Sequence, residues 1–163
     1  MLKTRHLSWF LLALLLGACG FHLQSPAELP PGMQRTKLVV VGPYTEFARR
    51  LEIHLEQSGV HVVDDADDAA LLEVPQNSVR REIQSIGDNA RVREFMLRHT
   101  IQFRLLDNNG KVLIPLQTLE QTRVYSFDQQ DILSKEREDE FLRDDLSDAL
   151  ARMVVRRLGT YGK

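Results

Sequence analysis

The sequence predicts an α+β fold in two layers, with a mainly antiparallel sheet of four strands and two helices on one of its faces. Three observations lead to this prediction. Residues 93–106 alternate apolar and polar side chains, which is typical of a strand with one buried and one solvated face. Residues 134–158 carry apolar side chains at helical spacing. The predicted elements run strand, helix, three strands and helix, an order that favours a sheet covered by helices on one side.

The first two predicted elements are a short strand and a helix. Residues 37–42 form a mainly β-branched run, which indicates a strand buried on both faces or at the centre of the sheet. Residues 44–58 predict a helix, because apolar side chains recur there at spacings of three and four. Thr45 can cap this helix with its hydroxyl, and Gly59 suits the left-handed conformation that ends one. The predicted inward face consists of Phe47, Leu51, His54, Leu55 and Ser58.

Two of the three extended segments that follow contain a proline. Residues 69–86 are predicted as a strand with a bulge or an edge position at Pro75, because proline cannot donate a hydrogen bond to the ladder. Residues 112–127 are predicted as a less regular strand that is interrupted by Pro115. Both segments are expected to lie in one sheet with the regular strand between them in the sequence.

That regular strand, residues 93–106, is followed by a turn signal. Asn108-Asn109-Gly110 supplies the positive φ values of a tight hairpin turn, so the next segment is its antiparallel partner. The predicted buried face of the regular strand consists of Phe95, Leu97, His99, Ile101, Phe103 and Leu105.

The last predicted element is a long amphipathic helix over residues 134–158. Acidic side chains dominate its first half, and Arg152, Arg156 and Arg157 close it, which complements the helix dipole. We expect Gly159 to end the helix. Its predicted apolar face consists of Phe141, Leu142, Leu146, Ala149, Leu150, Met153, Val154 and Leu158.

The N-terminus has the pattern of a bacterial lipoprotein signal peptide. Lys3 and Arg5 precede a short apolar run that ends in Leu16-Gly17-Ala18-Cys19, and Cys19 is the only cysteine of the chain. The run is shorter than the roughly 20 residues that a membrane-spanning helix needs. We therefore expect removal of residues 1–18 and acylation of Cys19, which anchors the protein stably through several acyl chains. Gly20 in place of an aspartate favours the outer membrane, on its periplasmic side.

Composition limits the organisation of the mature chain. Cleavage leaves 145 of the 163 residues, with 19 basic and 23 acidic side chains and a net charge of −4. This length suits one domain with a real core, and the acidic balance argues against nucleic acid as the main partner. We expect a signal peptide at residues 1–18, a lipidated N-terminus and proline-containing tether at 19–36, and a single domain at 37–163.

Catalytic and metal-binding patterns are lacking in the sequence. The four histidines that remain after cleavage are not spaced as metal ligands, and His99 is predicted to be a hydrogen-bonded core residue. A nucleophile elbow and a phosphate-binding glycine loop are missing. The acidic run over residues 64–68 could offer oxygen ligands to a divalent cation, but a solvated loop is preferred because the calcium-loop pattern is incomplete. We predict a non-enzymatic protein without cofactor or metal.

Several segments of the mature chain resemble one protein family. Cys19-Gly20-Phe21-His22-Leu23 follows the cleavage site, Glu94-Phe95 opens the regular strand, and Val124-Tyr125-Ser126-Phe127-Asp128 leads into the last helix, with Lys135 near its start. With the order of elements, these segments resemble the LptE family, the lipopolysaccharide-assembly lipoproteins of Gram-negative bacteria. The resemblance implies the α+β fold, a position as a plug inside the outer-membrane β-barrel LptD, and binding of lipopolysaccharide during its export to the cell surface.

A group of basic side chains is the candidate lipopolysaccharide site. Guanidinium groups bind phosphates and carboxylates bidentately, and lipopolysaccharide carries both. The alternative is a polar strand face that keeps the sheet soluble or meets the barrel wall. The resemblance points to the regions of Arg91 and Lys135. The full candidate set is Arg91, Lys135, Arg93, Arg80 and Arg98, with Arg81 and Arg104 in the same basic group.

Two other functions stay open from the sequence alone. One is a lipoprotein adaptor of another envelope complex, and the other is a periplasmic lipoprotein hydrolase. The hydrolase is disfavoured because the sequence offers no nucleophile and base at a recognisable spacing.

Overall fold

The computed structural model has a five-stranded sheet with two helices on one face. The structure describes residues 29–30, 32–65, 67–87, 91–127 and 131–161, so the predicted acylation site, Cys19, lies outside the described residues. The sheet order is β2-β1-β3-β4-β5, with β1 parallel to β2 and β3 and the other pairs antiparallel. The elements are β1 Arg35–Val40, α1 Glu46–Gln57, β2 His61–Val63, β3 Ala70–Ile86, β4 Val92–Leu106, β5 Val112–Ser126 and α2 Ile132–Tyr161.

The predicted α+β class is confirmed, but the sheet has five strands instead of four. The missed strand is β2, whose three residues are too few to show alternation and are followed by the acidic loop. The first strand is interior to the sheet as predicted, but it is not buried on both faces, because Val39 is 45% exposed. Strand β1 starts at Arg35, two residues before the predicted strand, and Met33 is buried in the core.

The prolines lie at irregularities of the sheet, as the sequence indicated. The register between β3 and β4 shifts between Glu73 and Gln76, around Pro75. A second shift, between Ile114 and Gln117 of β5, encloses Pro115. Because these residues are bulged, their missing N–H groups do not interrupt regular ladder hydrogen bonds.

The turn between β4 and β5 differs in detail from the prediction. Gly110 has a positive φ of +79°, and its N–H donates to the carbonyl of Asp107 at 3.1 Å. Asn108 and Asn109 do not have positive φ values, so that part of the prediction was wrong. A three-residue turn with one left-handed residue before the second strand needs glycine only at that position.

Helix α1 matches its prediction closely. The hydroxyl of Thr45 accepts a hydrogen bond from the N–H of Ala48, and Gly59 has a φ of +85° just after the helix. Phe47, Leu51 and Leu55 are buried against the sheet and α2, as expected from their spacing.

Helix α2 is longer than predicted and is rotated relative to the predicted face. It continues to Tyr161, so Gly159 is a buried residue within the helix and does not end it. The last turn therefore contains no basic residue, contrary to the expected dipole complement. Phe141 is 69% exposed, which corrects its assignment to the apolar face. Side chains spaced by four face the sheet from Leu142 through Leu146, Leu150, Val154 and Leu158, and Phe141 lies one residue off this row.

The core has a main cluster and a smaller one. The main cluster joins α1, the second half of α2 and one end of the sheet. The smaller cluster contains Leu97, Tyr125 and Leu146, with Phe95 and Leu142 packed against it. It lies near the distal end, the end of the sheet where β3 connects to β4 and β5 connects to α2. Here the first half of α2 is the helix that covers the sheet.

His99 lies on the buried face of β4, as predicted, and is 1% exposed. Its Nε2 is 2.8 Å from Oδ1 of Asn77, whose Nδ2 donates to the hydroxyl of Thr45 at 3.0 Å. The side-chain oxygen Oδ1 of Asn77 therefore faces the imidazole ring of His99, so Nε2 is the protonated nitrogen of that ring. Within the described part of the chain Nδ1 has no hydrogen-bond partner. Burial, together with the nearby positive charge of Arg143, lowers the pKa of His99 from 6.5 to about 4.

This depressed pKa predicts a loss of stability in mild acid. Between pH 6.5 and about 4 the unfolded chain binds a proton at His99 that the folded chain excludes. The free energy of unfolding is not reduced by this histidine above pH 6.5. It falls by roughly 3 kcal/mol in total as the pH drops from 6.5 through the pKa of His99 in the folded state. His99→Gln should therefore have a flatter dependence of unfolding free energy on pH between 7 and 4. Denaturant unfolding at several pH values measures this slope.

The exposed His61 provides the matched control. His61→Gln should keep the slope of the unchanged protein. Equal slopes for His99→Gln and His61→Gln would contradict the assignment of a neutral, buried His99.

Candidate functional site

A cleft of about 290 Å³ opens at the distal end, between the sheet and the first two turns of α2. Strand β3 contributes one residue, β4 one and β5 one, and the remainder come from the segment that enters α2 and from α2 itself. The lining residues are Arg81, Phe95, Tyr125, Phe127, Ile132, Lys135, Glu136 and Asp139.

Strand register brings the aromatic part of the cleft together. Phe95 lies opposite Tyr125 across the β4–β5 ladder, with ring centroids 5.9 Å apart. Phe127 meets Phe95 edge to face at 5.1 Å, and the guanidinium of Arg81 lies 4.8 Å from the centroid of the Phe95 ring. These contacts are favourable aromatic and cation–π geometries. The floor of the cleft is therefore a packed aromatic cluster with a cation on one side.

The carboxylate of Asp139 lies at the back of the cleft and joins three elements. It accepts a hydrogen bond from the hydroxyl of Tyr125 at 2.6 Å and another from Nε of Arg143. Nη1 of Arg81 is 3.9 Å from the same oxygen that Tyr125 contacts. Burial opposes ionisation of Asp139, but the hydrogen bonds from Arg143 and Tyr125 outweigh it, so the pKa of Asp139 is lowered. Burial, and next the bond to Asp139, raise the pKa of Tyr125.

Lys135 lies in the cleft with its charge already compensated. Its side chain is 19% exposed, and its Nζ is 2.8 Å from Oε2 of Glu138 and 3.3 Å from Oγ of Ser126. The side chain of the neighbouring Glu136 is exposed and forms no hydrogen bond with another described side chain. With Arg81 and Asp139, the described lining residues comprise two cations and two carboxylates, which sum to no net formal charge.

Arg91, in the β3–β4 connection, and Arg93, at the start of β4, lie beyond the cleft. The carbonyl of Arg93 accepts a hydrogen bond from the N–H of Phe127 at 2.7 Å, which puts Arg93 beside the rim. The carbonyl of Arg91 accepts from the N–H of Gly87 at 2.8 Å in the connection itself. Both arginines are exposed. Arg91, Arg93, Arg81 and Lys135 thus share the distal end.

The other predicted arginines lie on the opposite, open face of the sheet. Arg80 pairs with Arg98 across the β3–β4 ladder, and Arg98 forms ion pairs with Glu82 at 3.2 Å and with Glu120. Arg104 is paired with Glu73. Strand register therefore divides the basic group between the two faces of the sheet.

Sequence reasoning missed the residue that organises the cleft, Asp139. The sequence placed it only among the acidic side chains in the first half of the last helix, which complement the helix dipole. A usable signal was present: the apolar row of α2, followed towards the N-terminus from Leu146 at spacings of three and four, continues through Leu142 to Asp139 and Lys135. Polar residues on the inward row of a helix indicate a site or a buried ion pair.

In the described ranges, no three or more histidine, cysteine, aspartate or glutamate side chains are grouped so as to hold a metal ion. The helices that the structure describes include none with the length and apolar character needed to cross a bilayer.

Comparisons with known proteins agree with this fold. A profile of the family described as "LptE: Lipopolysaccharide-assembly" matches residues 33–158. A relative from Pectobacterium atrosepticum named LPS-assembly lipoprotein LptE is 29% identical over 152 residues, covering 92% of this chain and 82% of the relative. One of the same name from Yersinia enterocolitica is 30% identical over 155 residues, covering 91% and 72%.

Solved lipoprotein structures have the same architecture. The solution structure of an uncharacterized lipoprotein B from Nitrosomonas europaea superposes with a TM-score of 0.73 at 25% identity, covering 87% of this chain and 92% of that one. The rare lipoprotein B from Shewanella oneidensis gives 0.68 at 23% identity, with 77% and 94% covered, and supports the fold alone. Because the profile matches most of the chain, the chain belongs to the LptE family of lipopolysaccharide-assembly lipoproteins.

Proposed function

We propose that this protein is an outer-membrane lipoprotein that plugs the LptD barrel and binds lipopolysaccharide at its distal end during export to the cell surface. Family membership supports a role in lipopolysaccharide assembly. The observation that carries the binding proposal is the distal cleft, where a small concave site adjoins exposed arginines. The proposed role is scaffolding and transient recognition, without an enzymatic step or a cofactor.

The basic residues at the distal end match the anionic groups of lipopolysaccharide. Arg91 and Arg93 are exposed beside the cleft and can form bidentate hydrogen bonds with phosphate oxygens. Lys135 can add a hydrogen-bond donor from inside the cleft to a polar group of the ligand. Arg80 and Arg98 are less suited to this role, because they lie on the other face and Arg98 is held by two carboxylates.

The open face of the sheet supports the plug proposal. Cross-strand pairs satisfy much of its polar surface: Arg98 with Glu82 and Glu120, Arg104 with Glu73, and Gln102 with Thr118. A barrel lumen is polar, unlike the lipid-facing exterior. A sheet face of compensated charges can lie against such a lumen without leaving unpaired charges buried.

The start of the described chain and the cleft lie at opposite ends of the sheet. The described chain enters β1 level with the start of β3, where Thr36 pairs with Ala70. Arg81 lies eleven residues further along β3, or about 36 Å. We propose that the end of the body where β1 begins faces the periplasm, which would direct the cleft into the barrel.

The plug proposal predicts a barrel complex that survives loss of the acyl chains. A variant with Cys19→Ala, exported through a cleavable secretory signal in place of residues 1–18, should still co-purify with LptD from detergent-solubilised membranes. An enclosing interface should exceed the roughly 1,200–2,000 Å² of ordinary complexes. In cells depleted of the barrel, the same variant should become soluble, whereas the acylated protein should stay in the membrane fraction.

Failure of the unacylated variant ever to co-purify with the barrel would refute the plug proposal. Co-purification of the acylated protein with a different envelope complex would favour the adaptor alternative.

The binding proposal predicts that two substitutions at the distal end weaken lipopolysaccharide binding. Arg91→Asp together with Lys135→Asp should reduce the affinity of the purified, unacylated protein by about tenfold or more, since a hydrogen bond to a charged group contributes about 1.5–3 kcal/mol. Titration with lipopolysaccharide at two salt concentrations measures the effect, which should be smaller at high salt.

Arg80→Asp, an exposed change on the open face, is the matched control and should leave affinity unchanged. Thermal unfolding verifies that each variant is folded. Unchanged affinity in the folded double variant would exclude these two residues from the site.

A further inference from the structure

We propose that the distal cleft holds a sugar ring of the lipopolysaccharide glycan, while phosphates attached to that glycan lie outside, at the arginines of the rim. This inference rests on the proposed function and names the part of the ligand that enters the cleft. The size of the cleft suits such a ligand. A volume of about 290 Å³ is at the lower end for ligand sites and suits one or two sugar rings.

The aromatic and aliphatic side chains of the cleft suit the faces of a pyranose ring. Such a ring presents C–H groups on its faces and hydroxyls around its edge. Arg81 covers one side of Phe95, and Tyr125 is 4% exposed, so neither offers an open ring face. Phe127 is half-buried, and Ile132 is 51% exposed at the edge of the cleft. Phe127 and Ile132 therefore supply the surface on which a ring can pack.

The electrostatics of the lining favour a neutral polyol over an anion. Asp139 is ionised and held by Arg143 and Tyr125, and Lys135 is paired with Glu138. A phosphate inside the cleft would meet the carboxylates of Asp139 and Glu136 and would have to displace an existing ion pair. Hydroxyl groups avoid this conflict, because they donate to carboxylates and accept from ammonium or guanidinium groups. Glu136 is the carboxylate available for such a bond.

The position of Arg93 accounts for the phosphates. The backbones of Arg93 and Phe127 are adjacent, because the carbonyl of Arg93 accepts a hydrogen bond from the N–H of Phe127. The long side chain of Arg93 can therefore reach a group that is attached to a sugar ring packed on Phe127. A sugar that carries a phosphate substituent would thus meet a neutral lining with its ring and a cationic rim with its substituent. The cleft would then distinguish ligands by the structure of the sugar ring, and the rim would distinguish them by the charge of the substituent.

The test uses an N-acetylglucosamine disaccharide, a neutral sugar without phosphate or long acyl chains, as the probe, added to the isotopically labelled, unacylated full-length protein. We expect weak binding, with a Kd on the order of 1 mM, and amide shift changes centred on Phe127, Ile132 and Glu136. Phe127→Ala should weaken binding of this probe by about fivefold or more. Glu136→Ala should weaken it by a smaller factor. Phe141→Ala is the matched control, because Phe141 is an exposed aromatic of α2 outside the cleft.

The outcomes separate this inference from the proposed function. Shift changes elsewhere, no shift changes, or equal affinities for Glu136→Ala and the control would overturn the sugar assignment. Glu136 is exposed, so this comparison remains decisive even if Phe127→Ala fails to fold. Intact lipopolysaccharide that binds normally while the disaccharide does not would leave the proposed function standing. Lipopolysaccharide that does not bind the unchanged protein would defeat both.

Discussion

The partly buried carboxylate of Asp139 is the constraint on which the distal half of the molecule depends. It joins α2 to β5 through Tyr125 and approaches Arg81 of β3, while Arg143 neutralises it from the next turn of its own helix. The apolar cluster beneath this half of α2 is small. Loss of Tyr125 or Arg143 would remove a hydrogen bond to a charged, partly buried group, and such a bond contributes up to about 1.5–3 kcal/mol. The cleft exists because this polar contact holds the first turns of α2 against the sheet.

Much of the fold could be predicted because its signals are local. The alternation in β4, the cap at Thr45 and the bulges at Pro75 and Pro115 each follow from a few neighbouring residues. The short strand β2 could not be predicted in this way, because it is held by parallel pairing with β1 and not by its own pattern. The continuation of α2 through Gly159 likewise depends on packing, since that glycine is buried against the core instead of capping the helix.

The site was less predictable because it depends on register and on contacts between distant elements. Arg80 and Arg81 are neighbours in sequence, but they lie on opposite faces of β3, one beside Arg98 and the other over Phe95. A one-residue difference decides which face a strand residue occupies, and bulges can reverse it. Ion pairs such as Arg98 with Glu120 join residues 22 positions apart, and sequence alone does not indicate them. Lys135 was identified at the site through resemblance, whereas Asp139 required the structure.

Recognition of lipopolysaccharide at the distal end is tested most directly by mapping where lipopolysaccharide contacts α2 in the cell. A photo-crosslinking amino acid can replace Ile132, at the cleft, or Arg156, an exposed position near the other end of the same helix. Recognition at the distal end predicts a lipopolysaccharide adduct at position 132 and little or none at position 156 when export is active. Adducts of equal yield at both positions, or an adduct only at position 156, would contradict recognition at the distal end.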